Sequence, residues 1–163
     1  MELKSFEPAV LALAQALRGR GWRLATAESC TGGLIAAACT AVSGSSDWLE
    51  GGWVTYSNDA KSRWLDVPAA LIEQHGAVSE AVALAMARGA LRGSQAQLSV
   101  AVTGIAGPGG AVPGKPVGTV WLAWGTARAL QAECLHLPGD RDAVRSATVD
   151  AALQRLLSAA AAA

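Results

Sequence analysis

Apolar residues recur at the spacing of one helical face after Pro8, at Val10, Leu11, Leu13, Ala14 and Leu17, and Gly19 and Gly21 then supply a stop. This pattern predicts an opening helix from Phe6 to Arg18. "WRLATA" reads as a strand, and Leu34 to Val42 as a helix that starts at Gly32 or Gly33 and is closed by an "SGSSD" loop. A second strand, "GWVTYS", leads into a short helix from Asp59 to Leu65, and Pro68 opens "AALIEQHG" as a further helical segment. Ser79 and Glu80 mark the start of a helix that runs to Leu91 and ends at Gly93. "QLSVAVTG" is a β-rich run that breaks into "GIAGPGGAVPGKPVG", too rich in glycine and proline for either regular state. "GTVWLAWG" and "QAECLHL", joined by "TARAL", read as two adjacent antiparallel strands. The chain closes on an amphipathic helix from Asp140 with Val144, Ala147, Thr148, Ala151, Leu153 and Leu156 inward, and "SAAAAA" reads as its fraying end.

The first three strands alternate with helices, which predicts an α/β fold: a three-layer α/β/α sandwich around a mixed sheet of about five strands. No repeat or linker interrupts the 163 residues, so a single domain over 1–163 is expected. In open α/β sheets ligands sit beyond the carboxyl ends of the strands. Three of the predicted strands end in unusual segments, "ESCTGG", "TYSNDAK" and "TGIAGPGG", and a site assembled from all three follows.

Composition narrows the partners. With 13 basic and 13 acidic residues the net charge is zero, which removes the positive field that draws proteins onto nucleic acid or anionic membrane and favours a small-molecule partner. No apolar run approaches the roughly 18 residues of a membrane span, and "MELKSFEP" carries acids before any apolar segment, so neither a span nor a signal peptide is expected. Cys30, Cys39 and Cys134 are odd in number and have no ligand-like spacing with His75 and His136, which predicts no disulfide framework, no metal site and a reducing cytoplasm.

Each of the three segments admits two readings. A helix starting near Thr31 offers unpaired N–H groups and a positive dipole end to a phosphate or carboxylate, or Ser29 or Thr31 is an N-cap, with Gly32 and Gly33 allowing tight packing. Lys61 falls in a first helical turn, where the dipole opposes its charge; it is a solvated surface lysine or an amine pushed towards neutrality, with Asp59 pulling the other way. A neutral lysine can take a proton from a serine hydroxyl. Tyr56, the only tyrosine, is a proton relay, an orienter of that amine or a half-buried strand aromatic. The glycine-rich loop from Thr103 to Gly110 presents backbone amides suited to an oxyanion or a second grip on a ligand. Cys30, beside Ser29 near a positive helix end, is an alternative nucleophile. Arg141 and Arg145 in "GDRDAVR" lie one turn apart, on a solvated face or as anion contacts. Trp48, Trp53 and Trp64 are core or subunit contacts.

Taken in order, "TAESCTGG", "VTYSNDAK", "HGAVSE", "TGIAGPGG", "KPVGTVWLA" and "GDRDAVR" resemble the motifs of the CinA carboxy-terminal domain family, the nicotinamide-nucleotide amidohydrolases, over Glu2 to Leu157. The resemblance implies hydrolysis of the carboxamide of nicotinamide mononucleotide to nicotinic acid mononucleotide and ammonia. It implies Ser29 as nucleophile, Lys61 as base and Tyr56 as an accompanying hydroxyl, with no cofactor and no metal. Substrate contacts are expected from Glu28, Cys30, Thr31, Gly32, Gly33, Asn58, Thr103, Gly104, Ala106, Gly107 and Arg145, the last helping to hold the phosphate. A homodimer is expected, without direct nucleic-acid or membrane contact and without the additional amino-terminal domain of some relatives. A nucleotide- or phosphate-binding module without chemistry, or an interaction protein in DNA metabolism, are the alternative classes.

Overall fold

The computed structural model describes residues 1–162; Ala163, the last residue of the "SAAAAA" tail, lies outside the described residues. A 3-10 turn at Leu3–Phe6 precedes α1 (Glu7–Arg20), followed by β1 (Leu24–Glu28), α2 (Leu34–Thr40), a 3-10 turn at Ser45–Asp47, β2 (Leu49–Val54), α3 (Asn58–Leu65), α4 (Ala69–His75), α5 (Glu80–Arg92), β3 (Leu98–Gly104), β4 (Thr119–Thr126), β5 (Ala129–His136) and α6 (Arg141–Ala161).

The sheet order is β2-β1-β3-β4-β5. β1 runs parallel to both β2 and β3, while β4 pairs antiparallel with β3 and with β5, giving the mixed sheet. Every residue of β1 is buried, as a central strand covered on both sides requires. One face packs on α1, α2 and α6 through residues such as Leu13, Leu17, Ile35, Val100, Leu122 and Leu153. The other is built on small side chains, Ala27, Ala83, Ala87, Ala90 and Ala101 among them, so α5 lies close against the strands.

Side-chain caps set several helix starts: Ser57 accepts from the Ala60 amide, Ser79 from Val82 and Asp140 from Ala143. Gly19 does not stop α1, which continues to Arg20 and ends at Gly21, whose φ of 63° suits the left-handed cap. β2 begins at Leu49, not Gly52, because Leu24 to Glu28 of β1 ladder with Leu49 to Val54, and it ends before Thr55. Along α6, Ala147 and Ala151 are only half-buried, while Val149 and Ala152 are fully buried, because this helix packs on α1 as well as on the sheet. Trp48 is wholly buried in the core and Trp64 is exposed. No helix among the described residues is long and apolar enough to cross a membrane.

With β1, β2 and β3 parallel, their carboxyl ends fall on one edge of the sheet, and α6 starts beside them, its Arg141 reaching the Gly107 carbonyl of the loop after β3.

Candidate active site

Ser29 continues the line of β1, its amide donating to Val102 O at 3.0 Å, and is 8% exposed. The next residues leave the sheet through Gly32 and Gly33, at φ of 60° and 99°, values that suit residues without a Cβ. α2 therefore starts with its first-turn amides pointing back towards β1. The group that meets them is the carboxylate of Glu28. It accepts from the Ile35 amide at 2.8 Å, the Ala36 amide at 3.0 Å and the Thr31 hydroxyl at 2.7 Å. Neither Ser29 nor Thr31 caps the helix, and its amides at residues 35 and 36 are taken from within the protein. Those two amides are therefore not open to a ligand anion, which was one of the two readings of this helix start.

Lys61 approaches from the neighbouring strand tip. The Ser57 cap starts α3 so that Lys61 turns inward, and only 1% of it is exposed. Its Nζ lies 3.1 Å from Ser29 Oγ, 2.9 Å from Thr55 O and 3.4 Å from Tyr56 O. Burial holds its pKa below the ordinary 10.5, opposed in smaller measure by the Cys30 sulfur. Asp59 does not oppose the shift as expected; it is exposed and meets Arg63 at 3.5 Å. A neutral amine has two hydrogens and one lone pair. Two carbonyls and one hydroxyl surround Nζ, so with its hydrogens on the carbonyls the lone pair is left for the Ser29 O–H.

Cys30 has the opposite character. Burial above all, with a further push from the Glu28 charge, raises its thiol to about 12, so the helix end does not activate it. The expectation of a lowered thiol pKa is thereby corrected.

Ser29 and Lys61 border a cavity of about 230 Å³. Cys30, Ala77, Val78, Thr103, Gly104 and Ala106 line its sides, and the exposed Tyr56, Asn58 and Arg141 stand at its mouth. Thr103 is fixed by its hydroxyl bond to Ala77 O at 2.9 Å. The amide of Ile105 is already engaged with Thr119 O, which leaves Ala106 as the loop residue facing the cavity. Among the described residues there is no group of three or more His, Cys, Asp or Glu side chains gathered as a metal site would need.

Several expected contacts lie elsewhere. Glu28, Thr31, Gly32, Gly33 and Gly107 do not border the cavity. Arg145 donates to the carbonyls of Cys30 at 3.1 Å and Thr31 at 3.3 Å, tying α6 to the turn after β1. Arg141, one turn earlier, borders the cavity instead and donates to Gly107 O at 2.7 Å and to the Tyr56 phenol oxygen at 3.1 Å. The Tyr56 phenol, on a residue 62% exposed, is bonded there and not to the amine; the backbone carbonyl of Tyr56 is what faces Lys61. Sequence reasoning missed Ala77 and Val78, although "HGAVSE" was among the motifs that carried the resemblance, and of the two candidate anion contacts in "GDRDAVR" it placed Arg145, not Arg141, among the substrate contacts.

A model of the CinA C-terminal domain matches residues 7–160. Nicotinamide-nucleotide amidohydrolase PncC of Pseudomonas putida is 55% identical over 145 residues, covering 89% of this chain and 91% of that protein. The protein of the same name from Escherichia coli K12 is 51% identical over 145 residues, with 87% of each covered. A CinA-like protein of Citrifermentans bemidjiense is 56% identical over 144 residues, but the chain spans 35% of its length. Among solved structures, the competence/damage inducible protein CihA of Agrobacterium tumefaciens superposes with a TM-score of 0.91 at 43% identity, covering 94% of both chains. A CinA superfamily protein of Klebsiella pneumoniae 700603 does so with a TM-score of 0.91 at 40% identity, covering 94% and 96%.

Proposed function

The chain belongs to the CinA C-terminal domain family, and from that membership we propose that it is a nicotinamide-nucleotide amidohydrolase, converting nicotinamide mononucleotide and water to nicotinic acid mononucleotide and ammonia. The observation that carries the mechanistic part is the enclosed contact of Lys61 Nζ with Ser29 Oγ at 3.1 Å.

In this reading Lys61, neutral, takes the hydroxyl proton as Ser29 Oγ attacks the carboxamide carbon. Backbone amides of Cys30 and Ala106, both bordering the cavity, receive the negative charge that develops on the carbonyl oxygen. Lys61 hands its proton to the departing nitrogen, ammonia leaves, and an acyl-serine ester remains. Water then attacks the ester with Lys61 again as base; the bond to Oγ breaks, the proton returns to Ser29 and the acid is released. Tyr56 serves twice: its carbonyl helps hold the amine, and its phenol at the mouth meets the incoming substrate together with Asn58.

A cavity of about 230 Å³ lies below the roughly 300–1,000 Å³ usual for small-molecule sites, so a nucleotide with its carboxamide at Ser29 extends out past the mouth. Arg141 stands there, bonded on one side to a phenol that can swing away, and we assign it the 5′-phosphate. We further read residues 1–163 as one domain and place the protein in the cytoplasm as a homodimer. Three free cysteines support a reducing compartment, and exposed Val54 and Trp64 offer apolar surface for a second copy.

Ammonia release from nicotinamide mononucleotide tests the reading. Ser29→Ala is expected to lose at least about 10³-fold in kcat with its fold intact. A folded Ser29→Ala that still releases ammonia removes serine from the mechanism. A wild type that binds the mononucleotide calorimetrically without releasing ammonia is a binding module.

A further inference from the structure

Glu28 immediately precedes Ser29 and is fully buried, yet its partners are hydroxyls and amides, not a basic side chain. Thr31 Oγ1 and Ile35 N meet one oxygen at 2.7 and 2.8 Å; Ala36 N and Thr26 Oγ1 meet the other at 3.0 and 3.4 Å. Burying a carboxylate is unfavourable unless its lone pairs are used, and here four donors use them. The arrangement is unusual in reach. A side-chain cap ordinarily serves amides two or three residues ahead, whereas Glu28 serves those seven and eight ahead. Ser29 and Thr31, both good capping types, are nearer to those amides in sequence and do not cap the helix.

We propose that Glu28 is a positioning residue for the reaction: by taking over the cap of α2 and the hydroxyl of Thr31, it fixes the turn after β1 and leaves the Ser29 hydroxyl free to face Lys61. This rests on the amidohydrolase reading above and replaces the substrate contact that the resemblance implied for Glu28. Glutamine cannot substitute. The two hydroxyls can rotate to accept, but the two peptide N–H groups cannot, and they lie on different oxygens. An amide nitrogen at either position therefore faces a donor, and the turn must shift.

Steady-state kinetics, thermal unfolding and a crystal structure of Glu28→Gln test this together. A nucleophile displaced by a fraction of an ångström is expected to lower kcat about 30- to 100-fold while KM stays within about three-fold. The crystal structure is expected to show Ser29 Oγ outside hydrogen-bond distance of Lys61 Nζ. A folded variant with kcat within about two-fold of wild type overturns the proposal, as does one that keeps the Ser29–Lys61 contact. A raised KM with unchanged kcat also overturns it, because Glu28 would then be touching substrate. If Glu28→Gln does not fold, Thr31→Val carries the test. It leaves the carboxylate and both amide bonds in place and is expected to lower kcat about 3- to 10-fold at constant KM, an unchanged kcat overturning the proposal. Wild-type protein that releases no ammonia refutes the amidohydrolase reading and not this one, since the position of Oγ in the Glu28→Gln crystal structure is read without turnover.

Discussion

Two helices begin at the same edge of the sheet and treat their first turns in opposite ways. α2 follows a glycine pair that reads like an anion-binding loop, yet its amides at Ile35 and Ala36 are filled by Glu28. α6 starts from "GDRDAVR", which has no such look, is capped locally by Asp140, and projects Arg141 to the cavity mouth. The lesson is that glycines at φ of 60° and 99° answer a backbone requirement, and that a helix start is open to a ligand only when no side chain of the protein has reached it first.

The comparison assigns chemistry to the α2 side and substrate grip to the α6 side, so it can be broken from either. The largest expected effect is at Lys61. Lys61→Met should cut ammonia release by at least about 10³-fold with no loss of melting temperature, since a buried amine is removed. Wild type should support this through pH. Burial lowers the Lys61 pKa, so the neutral fraction grows as pH rises, and kcat/KM should climb with unit slope to a midpoint below 10.5. The unfolded chain then binds this proton more tightly than the folded one, so the contribution of Lys61 to stability increases with pH between its folded value and 10.5. A kcat/KM profile with no such limb removes Lys61 as base.

Next come the two arginines. Arg141→Gln should raise KM for the mononucleotide about 10- to 100-fold, by loss of a charge-assisted bond, while leaving turnover of the phosphate-free riboside unaffected. Arg145→Gln should do the reverse: its partners are the Cys30 and Thr31 carbonyls, and losing them should cost about 1–3 kcal/mol in denaturant unfolding with KM unchanged. If the two variants exchange these phenotypes, the assignment of the phosphate to the α6 start is inverted. The smallest effect is at Asp140, a cap coupled only to its own helix. Asp140→Ala should lose about 1 kcal/mol, or roughly 2–4 °C in melting temperature, and still release ammonia.

Most of the fold was legible because its signals are local. Alternating apolar runs, the Ser79 and Asp140 caps and the glycine stops each act within a few residues of the element they bound. The contact of Ser29 with Lys61 was legible for a different reason: adjacent parallel strands bring their carboxyl ends together, and each residue follows such an end. What was not legible depends on phase and reach. Arg141 and Arg145 share a helical face, but four residues separate them by about 6 Å along the axis, enough to give one the cavity and the other two carbonyls. The resemblance implies a substrate contact at Glu28, and no short-range pattern predicts a cap seven residues upstream. For Tyr56 the sequence offers the phenol, whereas the atom that meets Lys61 is a backbone oxygen, which any residue there would supply.

The cavity takes its lining from residues as far apart as Ser29 and Arg141, contributed by two parallel strand tips, the glycine-rich loop, the stretch before α5 and the start of the last helix. No fragment shorter than residues 29–141 contains that set. Recovery of ammonia release after dilution from denaturant would therefore lag the return of helical signal and coincide with completion of the sheet, which makes the reaction itself a gauge of when refolding has finished.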